Sequence, residues 1–133
     1  MRFMFPAVSV LLLVSCSDVR SFEDTSAQFE RDRDGLPALA GAVFGCEEAS
    51  HFLARDTDRA DCVGDISREL HRLGYKSASV EAGGWRVYFV NGDDGTGRLG
   101  VTSGITYRRM AGSPQGEQPL TGPPHQWFYF QRD

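Results

Sequence analysis

Three histidines, three cysteines and two acidic runs are the residues of this 133-residue chain whose chemistry could reach beyond packing. Serine-based acyl transfer needs a histidine within hydrogen-bond reach and a sharp turn that presents the hydroxyl. The chain has no Gly-x-Ser-x-Gly segment to present a serine to His51, His71 or His125. His51 stands among Glu47, Glu48 and Asp56, and His71 follows Ser67 by four positions on the polar side of a helical pattern. Both read as solvated helix residues. His125, in Pro123-Pro124-His125-Gln126-Trp127, is held by a rigid loop beside aromatic residues and joins them as a candidate surface residue. Asp56-Thr57-Asp58 fails as a calcium loop: Ala60 and Asp61 replace the fifth-position ligand and sixth-position glycine, and Ser67 replaces the closing glutamate. Asn91-Gly92-Asp93-Asp94 is explained by turn chemistry. No phosphate loop or dinucleotide fingerprint occurs. The sequence thus assigns no catalytic residue, metal or cofactor.

The N-terminus is more informative. Met1-Arg2 is a short positive start, Phe3 to Val14 is apolar, and Leu13-Val14-Ser15-Cys16 closes the run. About 20 helical residues are needed to cross ~30 Å of hydrocarbon, so this segment reads as a secretory signal with a processing site. The cysteine directly after a small residue resembles the lipobox of bacterial lipoproteins. That resemblance implies diacylglycerol on the Cys16 thiol, cleavage before Cys16 and acylation of the new amine. It implies residues 1–15 as signal peptide, 16–25 as a lipidated tether, and 26–133 as one domain. Ser17 after the lipidated cysteine favours an outer membrane location facing the periplasm, with the membrane reached through the lipid anchor.

Lipidation of Cys16 would leave Cys46 and Cys62 as an even pair in an oxidising compartment, where a disulfide is expected. A metal pair or reactive thiol lacks supporting neighbours, since no third cysteine follows and the histidines lack ligand spacing. Removing residues 1–15 takes away only Arg2 among charged residues, leaving 13 basic against 18 acidic and a net charge of about −5. Such a surface argues against nucleic acid and against electrostatic docking on anionic lipid.

These residues need elements to position them. Ser17 to Thr25 is polar and lacks periodicity, as a tether would. Phe29, Leu36, Leu39, Ala40, Val43 and Phe44 lie near a 3.6-residue period, interrupted by Asp34-Gly35 and Pro37. They predict a helical turn at 26–33 and a helix from about 37 that can run through Cys46 and Ala49 to Leu53. A second long helix, capped by Thr57 or Asp58, carries Ala60, Val63, Ile66, Leu70 and Leu73 and ends at Gly74. Antiparallel packing across the turn at 55–58 would set Cys46 beside Cys62.

The period then becomes two. Tyr75–Ala82 and Trp85–Asn91 flank Gly83-Gly84 and predict a hairpin with Val80 opposite Val87, Ala78 opposite Phe89, Ser79 opposite Tyr88 and Glu81 opposite Arg86. A third strand at 99–110 carries Leu99, Val101, Ile105 and Tyr107 on one face. Gly100 and Gly104 on the other suggest a bulge or close approach. A loop at 111–125 precedes Trp127-Phe128-Tyr129-Phe130, apolar on both faces and so covered on both. The fold class is α+β: two or three N-terminal helices packed on a four-stranded antiparallel meander.

Leu73-Gly74, Gly104-Ile105-Thr106-Tyr107 and Trp127-Phe128-Tyr129 resemble small uncharacterised bacterial exported proteins, a likeness that implies no activity. The expected function is a lipid-anchored envelope protein acting as a non-catalytic binding or structural module. Its candidate binding surface comprises Tyr88, Tyr107, Arg108, His125, Trp127 and Tyr129, with another envelope protein as partner. An inhibitor or immunity protein against a periplasmic toxin or hydrolase is the alternative. A small envelope enzyme would require a cleft that gathers a histidine with carboxylates.

Overall fold

The computed structural model describes residues 18–94, 100–110, 112, 114–122 and 124–132. The expected signal segment and Cys16 lie outside the described residues, as does Leu99.

Helix α1 spans Phe22–Asp32, with Ser21 as its N-cap: the Ser21 hydroxyl accepts from the Asp24 amide at 3.0 Å. Glu23 and Asp24 complement the positive end of the helix dipole. The expected tether to Thr25 is therefore too long. The chain is already bound to the sheet at Asp18, whose N–H donates to the Asp93 carbonyl at 2.9 Å, and Thr25 and Phe29 are buried. Helix α2 spans Leu36–Gly45, with Pro37 in its first turn, where a missing N–H costs nothing. It ends there instead of continuing to Leu53. His51–Leu53 forms an edge strand, β1, which pairs Phe52 with Ala78 and buries it completely.

Helix α3 spans Cys62–Leu73. Its N-cap is Asp61, whose carboxylate accepts from the Gly64 amide, so the helix starts later than a Thr57 or Asp58 cap implied and Ala60 stays outside it, exposed. Gly74 closes it in the left-handed region at φ 87°. Val63, Ile66, Leu70 and Leu73 supply its buried stripe. Cys46 and Cys62 form a disulfide with Cα atoms 5.8 Å apart. The bond joins the C-terminal end of α2 to the first residue of α3, and the intervening chain holds strand β1 instead of a tight helical turn.

The sheet has six antiparallel strands: β1, β2 (Ser77–Val80), β3 (Arg86–Asp93), β4 (Thr102–Arg108), β5 (Glu117–Pro119) and β6 (Trp127–Arg132). Their order is β1-β2-β3-β4-β6-β5. The four expected strands form its middle, and two short edge strands extend it. The hairpin register is the predicted one, with Ala78 opposite Phe89, Ser79 opposite Tyr88 and Val80 opposite Val87. Gly83 and Gly84 take positive φ at its tip, which their lack of Cβ permits. A bulge interrupts β3 between Val90 and Gly92. At Gly104 a Cβ would collide with the Phe89 carbonyl, which explains glycine on that face.

The three helices cover one sheet face, where Ala78, Val87, Phe89, Ile105 and Trp127 meet Phe29, Leu36, Leu39, Val43, Ile66 and Leu70. One polar node crosses this layer. Asn91, 1 % exposed, donates through Nδ2 to the Thr25 hydroxyl and to Gln28 Oε1, both at 3.0 Å, and Ser103 donates to its Oδ1 at 2.9 Å. Buried polar groups are costly unless so satisfied, and the node fixes α1 on the sheet.

Candidate functional site

The register of β3 with β4 sets Arg86 directly opposite Arg108, at the end of the sheet beside the hairpin tip. Like charges at such positions repel, yet the two are treated differently. Arg86 is gripped by Glu81, with Nη2 to Oε1 at 2.6 Å and Nε to Oε2 at 3.2 Å, and reaches Glu117 Oε2 at 3.4 Å. Glu117 also accepts from the Thr106 hydroxyl at 2.7 Å, and Glu81 from Tyr88 at 3.4 Å. The Arg86 guanidinium hydrogen-bonded to Glu81 holds that carboxyl below its usual range. Arg108 has no ion pair among the described residues, and its Nε is buried without a hydrogen-bond partner there.

What holds Arg108 is an aromatic ring. The Trp85 indole meets two guanidiniums, Arg86 at 4.8 Å and Arg108 at 4.7 Å from its centroid. Cation–π attraction of this kind contributes about 0.5–2 kcal/mol per contact. The backbone beside it is clamped. Gln126 Nε2 donates to the carbonyls of Arg108 and Arg109 at 3.1 and 2.9 Å, and the Arg109 N–H donates to the Trp85 carbonyl at 3.0 Å. The exposed Arg109 guanidinium lies 3.8 Å over the Phe44 ring of α2, and Met110 beside it is 72 % exposed. Pro37, Gly41, Phe44, Tyr107 and Arg109 border a cavity of about 370 Å³. Arg108 and Trp85 thus share the outer sheet face with Arg86, Glu81 and Glu117, whereas Arg109 lies with Phe44 on the helix side.

The residues expected to share one aromatic surface are divided between two faces. Trp127, 8 % exposed, is in the interlayer core, 4.5 Å from Tyr107 and 5.5 Å from Phe29 by ring centroids. Tyr129 is also on the helix side, edge-on to Phe22, with its hydroxyl donating to the Arg20 carbonyl at 2.7 Å. Tyr88 faces the opposite way and is buried with Phe128 and Phe130, under the guanidinium of Arg132 at 4.2 Å. His125 is in the β5–β6 connection, its Nδ1 2.8 Å from the Thr121 carbonyl and its ring against Phe128. Trp127, Tyr129 and Tyr88 are therefore packing residues. Arg108 alone of the six belongs to the cationic end of the outer sheet face, while Tyr107 packs on Phe44 and Trp127 at the helix side. Trp85 completes that end, and Arg109 lies on Phe44 at the helix side. The signal for Trp85 was a large aromatic directly after the turn glycines and before Arg86.

His51 and His71 line a different feature, an open groove of about 990 Å³ along the β1–β2 side, with Leu53, Tyr75 and Lys76. Among the described residues no group of three histidine, cysteine or acidic side chains is placed to hold a metal. No described helix is long and apolar enough to cross a membrane. Comparison of the chain with protein-family models, with curated proteins and with solved structures finds no match.

Proposed function

We propose that this chain is a lipid-anchored cell-envelope protein whose domain is a non-catalytic binding module, attached through Cys16 and facing the periplasm at the outer membrane. The observation that carries the reading is the Leu13-Val14-Ser15-Cys16 segment, followed after a single residue by Asp18, the first described residue, which is bound to the fold. Asp18 donates its amide to Asp93 and pairs its carboxylate with Lys76 at 3.0 Å, and the Arg20 amide donates to the Ser103 hydroxyl at 2.9 Å. Two residues span at most ~7 Å. A lipid on Cys16 would thus hold the Asp93–Thr102 end of the sheet against the bilayer surface. Two or three acyl chains give stable attachment where one does not.

The test is a Cys16→Ser chain compared with the parent by cell fractionation and intact-mass analysis. The parent is expected in the membrane fraction with acyl mass on Cys16, and the variant is expected to leave that fraction. A parent without acyl groups, or a variant that stays membrane-bound, would overturn the anchor.

A further inference from the structure

We infer that the solvent-facing side of α2 is the surface through which two copies of this chain pair, side by side on one membrane. The inference goes beyond the reading of an anchored binding module and takes from it only the direction of the anchor. Its first support is the apolar character of that side. No residue of α2, Leu36–Gly45, is polar or charged, although Pro37, Ala38, Gly41, Ala42 and Gly45 are exposed and Phe44 is half-buried. A helix that meets only water on its outer side carries polar residues there. Two grooves flank the exposed ridge. One of about 580 Å³ lies toward α3 and includes Leu39 and Ile66, and the cavity of about 370 Å³ lies toward Tyr107.

Charge selects a second copy as the occupant. Helix α3 packs over β1 and β2 and Arg109 follows β4, so the two flank α2 on opposite sides. Asp65 and Glu69 stand on the α3 flank. The Asp65 side chain is 75 % exposed and meets Arg68 through Oδ1 alone. Arg109 has no ion pair among the described residues. A two-fold axis along α2 lays the Arg109 flank of each copy over the Asp65 flank of the other, and the pair forms twice. An axis across α2 would set Asp65 against Asp65.

Placement agrees with the axis along α2. That helix ends where Arg109 covers Phe44 and donates its N–H to the Trp85 carbonyl, at the hairpin tip. Helix α3 starts there at the Cys46–Cys62 bond and returns to Gly74, and Lys76 just beyond pairs with Asp18. α2 therefore runs away from the anchored end of the sheet. Its outer side faces a neighbour on the membrane and not the bilayer, and both Asp18 attachment points stay at one end. Ten helical residues rise about 15 Å, a small contact beside the ~800 Å² per partner of a standard interface. Confinement to one membrane supplies the effective concentration that such a contact needs.

The experiment follows oxidative linking of Ala38→Cys in the lipidated chain, held in vesicles of phosphatidylethanolamine and phosphatidylglycerol. A disulfide needs Cα atoms within about 7 Å, which an axis along α2 allows at Ala38 with its own copy and an axis across its middle does not. Linked dimer is expected at least tenfold faster than for Gly122→Cys, an exposed control in the β5–β6 connection. Adding Gly41→Glu, whose side chain enters open space, should bring Ala38→Cys down to the control rate at an unchanged thermal midpoint. Arg109→Glu or Asp65→Arg alone should slow linking several-fold, and the two together should restore it. Linking of Ala38→Cys no faster than the control, or charge reversals whose effects merely add, would overturn the inference. Intact-mass analysis of the same samples separates the two readings. Acylated chain that fails to link sinks the pairing alone, whereas unacylated chain that links selectively in solution leaves the pairing standing and sinks the anchor.

Discussion

Arg86 and Arg108 are register partners on β3 and β4, and only Arg86 has carboxylates. Arg86 is 15 % exposed and Glu117 11 %, so this ion pair is largely shielded from water. Removing one partner of a shielded pair leaves the other charge uncompensated, which costs more than the pair contributes. Arg86→Gln should therefore destabilise the fold by about 1–3 kcal/mol, because Glu81 and Glu117 are left facing each other. Arg108→Gln removes a repulsion along with a stacking contact and should stay within about 0.5 kcal/mol of the parent. Urea denaturation of both variants checks the asymmetry; equal costs would refute it.

The Cys46–Cys62 disulfide closes a loop of sequence separation 16 between the end of α2 and the start of α3. In the chain-entropy account, a loop of this size is worth roughly 3 kcal/mol. Free-thiol labelling of the native protein should find neither residue reactive. The Cys46→Ala/Cys62→Ala double variant should lose about 2–4 kcal/mol in urea denaturation relative to the oxidised parent. A loss below about 1 kcal/mol would mean that the helices hold this junction without the bond.

The sequence shows which parts of this fold are locally encoded. The hairpin was legible because two independent face matches, apolar Val80–Val87 and charged Glu81–Arg86, agree on a single register. Strand β1 was not, because three residues with one buried side chain carry no measurable period and follow a helical pattern directly. The start of α1 was hidden among polar residues, although Ser21 with Asp24 three positions on is a cap signal. For Trp127-Phe128-Tyr129-Phe130, alternation cannot say which face the helices cover, since both faces are aromatic. The cationic end depends on the pairing of β3 with β4, a long-range fact that puts Arg108 on the Trp85 ring.

Asn91 is the hub through which α1 meets the sheet, with Thr25, Gln28 and Ser103 as partners. Truncating it leaves two buried hydroxyls and an amide short of partners as well as a small void. Asn91→Ala should cost about 2–4 kcal/mol. Amide exchange should rise first across α1, because its remaining attachment rests on few contacts. A uniform rise over the whole sheet would argue against this local role.

Acid should weaken the fold before base does. Hydrogen bonding to Lys76, Arg86 and Arg72 holds the carboxyls of Asp18, Glu81 and Glu69 respectively below their ordinary values. A carboxyl lowered on folding stabilises the native state above its unfolded pKa of about 4, and that contribution is lost as pH falls through the folded value. Lys76 is raised by its hydrogen bond to Asp18, so its contribution is present below about pH 10 and lost only above its folded value. The thermal midpoint should be flat from about pH 5 to 9 and fall below about pH 4. Glu81→Gln should lower the plateau and make the acid limb shallower. An unchanged limb would mean that Glu81 does not contribute to acid sensitivity.

Gly92 is the residue that lets the N-terminal segment lie on the sheet. It sits at the β3 bulge, where a Cβ would collide with the Asp18 carbonyl and crowd the Ser103 hydroxyl. Backbone cannot yield as a flexible side-chain end can, so Gly92→Ala must push Asp18 outward. The Asp18–Asp93 hydrogen bond and the Asp18–Lys76 pair should go together, at a cost of about 1–3 kcal/mol. Gly41 provides the contrast, since its added Cβ meets nothing within 4 Å and it lies inside α2. Gly41→Ala should stabilise by about 0.5–1 kcal/mol, because alanine loses less backbone entropy in a helix. Amide exchange at Asp18 and Arg20 is the direct readout for Gly92→Ala, expected to accelerate while α3 stays protected. If those amides remain protected in a folded Gly92→Ala chain, the segment does not depend on close approach at this glycine.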